Sequence, residues 1–140
     1  MSVRDAAVSA LLTAVAGAVP WAIVERNADA PSEISDAGHV VVRDGEPGEP
    51  DVTLGLRSYW WTHRADVEVY SINDDRHLAL DRMLMAIDAA LDADRTLGGA
   101  VCFTDWRIEH LEDEAADGAE TVRAALVAVT MEYQTLTPMG

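Results

Sequence analysis

Residues 57–70, RSYWWTHRADVEVY, alternate apolar and polar side chains more cleanly than any other stretch of the chain. Tyr59, Trp61, His63, Ala65, Val67 and Val69 fall on one face of an extended segment. Trp60, Thr62, Arg64, Asp66 and Glu68 fall on the other. A period of two residues marks a strand with one buried face. A half-buried strand of this length needs a sheet around it and a layer covering one side, and the rest of the chain must supply both.

Two stretches supply helical period for the covering layer. Val8, Leu11, Leu12 and Val15 recur at helical spacing within about residues 3–17. Ser2 with Asp5 opens this segment as a variant of the capping box, and Gly17 with Pro20 closes it. Leu80, Met83, Leu84, Ile87 and Leu91 form the stripe of a second helix, with Asp74, Asp81, Asp88 and Asp92 away from it. Asn73 or Asp74 is its expected cap, and it ends near Asp94 before Gly98 and Gly99.

Further strands are expected at 21–26 (WAIVER), 39–43 (HVVVR), 101–112 and 120–135, the last two joined by an acidic turn from Glu114 to Gly118. Residues 27–38 read as a loop. Pro47 and Pro50 exclude a central strand from residues 44–55. The expected architecture is therefore α+β: a mostly antiparallel sheet of about four to five strands packed against two helices. It forms one domain over residues 1–140, with a projecting loop or hairpin arm at about 44–58 and a flexible C-terminal tail at 136–140.

Charge narrows the partners. Twenty-five acids face ten cations in 140 residues, every cation is arginine, and the formal net charge is −15. Such a chain repels nucleic-acid phosphates and anionic membranes. Either the acidity reflects only the chemistry of the host's proteins, or a partner offers a basic or apolar face. The single Cys102 excludes an internal disulfide and is compatible with a reducing compartment. Residues 6–19 are apolar, but Asp5 follows Arg4 and Ser9 and Thr13 interrupt the run. The reading is a soluble cytoplasmic protein.

The residue types that carry chemistry do not converge in sequence. His39, His63, His77 and His110 include no pair four residues apart, so no two ligands share a helical face. His63 reads as a hydrogen-bonded core histidine, and Cys102 as buried and inert. His110 would stand about 25 Å from Cys102 along one straight strand. The acids around 109–114 and at 92 and 94 lack calcium-loop spacing. Gly45 and Gly48 flank Glu46 and Pro47, which oppose a bound anion and remove a donor. No metal, cofactor or catalytic residue is assigned. Trp60, beside Arg57 and Arg64, reads either as an interface anchor or as covered by a helix or the arm.

The order of blocks carries a resemblance. A short N-terminal helix, an extended loop, VTLG at 52–55 and RADVEVY at 64–70 come first. LALDRMLMAIDAAL at 78–91, DRTLGG at 94–99 and a terminal MEYQTLTPMG follow. Together they resemble the tail terminator (tail-completion) proteins of long-tailed phages and phage-like gene transfer agents. The resemblance implies a non-catalytic particle protein that forms a hexameric ring on the head-proximal end of the tail tube. It would stop tube growth and meet the head–neck or stopper protein, with DNA passing through the lumen unread. It also implies assembly in the bacterial host cytoplasm, and then a place at the head–tail junction of the particle.

Within that reading, the residues expected at subunit or tube contacts are Arg43, Glu46, Pro47, Glu49, Pro50, Asp51, Arg57, Trp60 and Arg64. Arg43 and Arg57 are expected to pair with acids of the next subunit. Six copies would carry a formal charge of about −90, and acids lining the lumen would let DNA slide. Other readings are a different head–tail connector or stopper, a small-molecule-binding or enzymatic α+β domain, and a dimeric interaction module.

Overall fold

The computed structural model describes residues 1–29, 34–72, 76–115 and 121–140. In chain order these form α1 (Val3–Ala18), β1 (Ile23–Arg26), β2 (His39–Glu46), β3 (Asp51–Thr53), β4 (Ser58–Ser71), α2 (Arg76–Ala93), β5 (Phe103–Ala115) and β6 (Thr121–Thr135). The strands make a single sheet in the order β1-β2-β4-β6-β5, with β3 alongside β4 beyond the end of β2. All pairings are antiparallel except β1 with β2. The architecture is α+β, with six strands where the sequence predicts about four to five. The additional strand, β3, comes from within the arm.

The alternation in β4 becomes its two faces. Trp61, His63, Ala65, Val67 and Val69 are buried, whereas Thr62 and Arg64 are exposed. β6 pairs with β4 from Tyr59↔Thr135 to Ser71↔Arg123 and turns Val127, Val129, Met131 and Tyr133 to the same side. α1 and α2 lie over that side, α2 across β4 and β6, and the two helices pack on each other. Leu11 and Val15 of α1 meet Met83, Ile87 and Leu91 of α2 in one core. Each such side chain contributes about 1.5–3 kcal/mol when fully buried.

Helix α1 begins as its sequence demands. The Ser2 hydroxyl accepts the Asp5 amide at 3.0 Å, satisfying one of the free donors of the first turn. The Asp5 carboxylate turns outward to Arg26 instead of closing the box. The cap expected from Asn73 or Asp74 for α2 lies outside the described residues, as does most of the turn expected at 114–118.

One further expectation is corrected. Cys102 is exposed, not buried. It sits in the bend before β5, where its amide donates to the Glu132 carbonyl at 2.7 Å, and on this edge strand burial passes to Val101 and Thr104. Of the two forms expected for the arm, loop or hairpin, the structure shows a hairpin. After Pro47 to Pro50, residues 51–53 return to pair with 58–60, so 51–60 is a hairpin continuous with the sheet. Proline removes ladder donors, and the detour confines both prolines to residues outside the strands.

Candidate functional site

The arm is held at its base by three residues: Arg26 and His63 through their side chains, and Gly45 through its backbone. Arg26, at the end of β1, donates to both carboxylate oxygens of Asp44 at 2.8 and 3.0 Å, to Asp5 at 2.9 Å and to Ser9 at 3.2 Å. One guanidinium thereby ties α1, β1 and the β2 end together. The Asp44 carboxyl is held below its ordinary range by Arg26, despite partial burial. Asn27, with φ at 52°, accepts the Asp44 amide at 2.9 Å through its side-chain oxygen.

His63 supplies the second tie, from below. Its Nε2 faces the Asp44 carbonyl, which can only accept, so Nε2 carries the proton. Nδ1 then accepts the Tyr133 hydroxyl at 2.7 Å. Burial pushes the imidazole below its ordinary range and the Tyr133 phenol above its own. Both groups are thus held neutral, and the expected core histidine is a strut between the core and the arm base.

Gly45 is the third element. Its φ is +67°, and a Cβ there would lie 1.9 Å from the Arg64 carbonyl oxygen. The β2 backbone therefore approaches β4 as only glycine allows, and the register shifts between Arg43 and Glu46 at this point.

The residues expected at contacts are divided by the structure. Arg43 pairs with Glu68 of its own chain, and Tyr70 donates to Glu68 at 2.6 Å. Arg64 pairs with Glu109 and with Asp66. Each of these two arginines therefore has an intrachain acidic partner on the helix-free face of the sheet. Trp60 is half-buried on that same face, opposite Asp51 and Gln134, so neither helix covers it. Glu46, Glu49 and Asp51 are exposed, and Pro47 and Pro50 are half-buried. Arg57 is exposed and makes no ion pair among the described residues.

The arm tip is apolar, which sequence reading missed. Leu54 and Leu56 are 89% and 93% exposed in the turn between β3 and β4. The signal was present as LGL inside a turn, where polar residues are usual. Pairing of Tyr59 with Thr135 sets the C-terminal tail beside this tip. The tail folds back so that a Cβ on Gly140 would lie 3.5 Å from Ser2 Cβ at the start of α1. Met1, Leu136 and Met139 are each at least 80% exposed along this path. One end of the molecule therefore presents five large apolar side chains to solvent.

Elsewhere the surface is poor in chemistry. A shallow open depression of about 220 Å³ on the helix-free face is lined by Arg64, Asp105, Trp106, Arg107, Ala128 and Thr130. Among the described residues no three His, Cys, Asp or Glu side chains gather as metal ligands. No described helix is long and apolar enough to cross a membrane. Neither a family model nor a curated protein matches this chain.

Proposed function

We propose that this chain is a structural particle protein of the tail-terminator kind. It assembles as a ring on the head-proximal end of a tail tube, ends tube growth and joins the tail to the neck. The observation that carries the assembly part is the apolar end: Met1, Leu54, Leu56, Leu136 and Met139 exposed together in a chain of net charge −15. Large apolar side chains gathered in solvent on an otherwise highly charged exterior are what a protein buries against another protein. The tail-terminator part rests on the resemblance of the sequence blocks from the N-terminal helix to MEYQTLTPMG.

The described geometry is compatible with a scaffold. Two of its buried polar groups, the His63 imidazole and the Tyr133 hydroxyl, are committed to holding the arm. The partners in this reading are further copies of the chain, the tube protein and a neck protein, with DNA passing through unread. Acids on the lumen wall would repel the phosphates of that DNA and keep it mobile.

The test is to mix purified chain with tail tubes during polymerisation and image by negative stain. Six-fold rings on one end of tubes of fixed length are the expected result. Tubes that grow past the added protein, with the chain remaining monomeric and unbound, refute the reading. A connector or stopper would instead bind finished tails or heads without limiting tube length.

A further inference from the structure

A second exposed apolar strip lies between α2 and β5. Trp106 donates its indole N–H to Asp88 at 2.8 Å and pins the two elements together there. From that pin Ile108 and Leu111 continue along β5. Their cross-strand partners Val127 and Ala125 belong to the core, so both side chains face the helix side. They are nevertheless 51% and 46% exposed, because α2 packs over β4 and β6 and leaves this part of the edge strand uncovered. Leu84 and Asp81, four and seven residues before Asp88, share its helix face and so border the strip. Met85, more than half exposed, forms the outer lip. Asp81 is exposed and makes no ion pair among the described residues.

The hairpin tip is the complement of this strip. Leu54 and Leu56 are followed by Arg57, and no acid lies within 54–57. A chain's tip does not reach its own strip. The tip leaves the sheet beyond the Tyr59↔Thr135 pair, whereas Ile108 pairs with Val127, eight residues back along β6. That separation is about 26 Å of strand.

We propose that the hairpin tip of one copy seats Leu54 and Leu56 in the α2–β5 strip of a second copy, with Arg57 pairing to Asp81. The choice of a second copy as occupant rests on the ring reading above and on this charge complementarity. The contact joins two different surfaces, so each copy can use both, and repetition closes a ring if the rotation permits.

The test uses single-cysteine chains in a Cys102→Ser background, joined by a short bis-maleimide. Leu56→Cys mixed with Leu111→Cys is expected to give a covalent dimer; Leu56→Cys mixed with Thr62→Cys, on the helix-free face, is not. In parallel, Arg57→Glu and Asp81→Arg are each expected to weaken self-association about tenfold, and the double variant to recover it to within about threefold. All changed positions are exposed, and circular dichroism verifies that the variants fold. Cross-linking no greater than the control, a double variant as weak as the singles, or a wild-type chain monomeric at millimolar concentration overturns the contact. If tubes are capped while the cross-link and rescue fail, this contact falls and the ring reading stands. If the cross-link and rescue succeed while tubes are ignored, the reverse holds.

Discussion

Replacing Gly45 with alanine tests whether the close approach of β2 to β4 holds the arm. The left-handed backbone there, φ +67°, costs a non-glycine residue about 1–2 kcal/mol. The new Cβ also falls 1.9 Å from the Arg64 carbonyl oxygen and 3.0 Å from Ala65 Cα, both backbone atoms that cannot rotate away. Relief requires β2 to lift from β4, which breaks the pairing of Glu46 with Arg64 and draws the Asp44 carbonyl from His63. At about 1 kcal/mol for each lost hydrogen bond, the total is about 3–4 kcal/mol. With a urea dependence of about 2 kcal/mol/M, the midpoint should fall by about 1.5–2 M. Gly17→Ala is the control: it lies in α1 with nothing within 4 Å of the added Cβ, and should stabilise by about 0.5–1 kcal/mol. A Gly45→Ala midpoint within about 0.3 M of wild type would refute the account.

The buried neutral His63 predicts a pH effect. Its pKa in the fold lies below the ordinary value, so between the two the unfolded chain binds a proton that the fold does not. Stability conferred by the neutral ring is present above pH 6.5 and falls as pH drops below it; urea midpoints of wild type should drop more between pH 7.5 and 5.5 than those of His63→Gln. Asp44 acts lower: its carboxyl is depressed by Arg26, so its contribution holds above the ordinary aspartate value of 3.8 and is lost as pH falls through it. Arg26→Met should cost about 1–2 kcal/mol after allowance for solvent screening, and a double-mutant cycle with Asp44→Asn should show coupling. Leu54→Ser with Leu56→Ser should leave the urea midpoint within about 0.5 kcal/mol of wild type while lowering binding of a hydrophobic dye, since both side chains already face water.

The features readable from sequence were those with a local period. β4 declared itself by alternation, and α2 by Leu80, Met83, Ile87 and Leu91, all of which are buried. Features decided by distant partners were not readable. The four residues of β1 have too short a run to show that they pair in parallel with β2. The intrachain partners of Arg43 and Arg64 were not readable either, because Glu68 and Glu109, 25 and 45 residues on, become neighbours only in the sheet. Cys102 read as core because its neighbours are apolar, whereas its exposure depends on a bend at the sheet edge. At the arm, the prolines correctly excluded a central strand, but their spacing did not show the chain returning to pair at 51–53.

The pairing of β4 along its whole length has a mechanical consequence. A partner gripping the hairpin tip pulls nearly parallel to β4, which β6 holds from Tyr59 to Ser71. The inter-strand hydrogen bonds stand perpendicular to that pull and share the load together, whereas peeling would break them one at a time. Rupture under force is governed by the barrier to this concerted sliding. The hairpin would thus be a stiff handle on the domain: tension applied at residues 54–57 is delivered to the centre of the sheet instead of unravelling its edge.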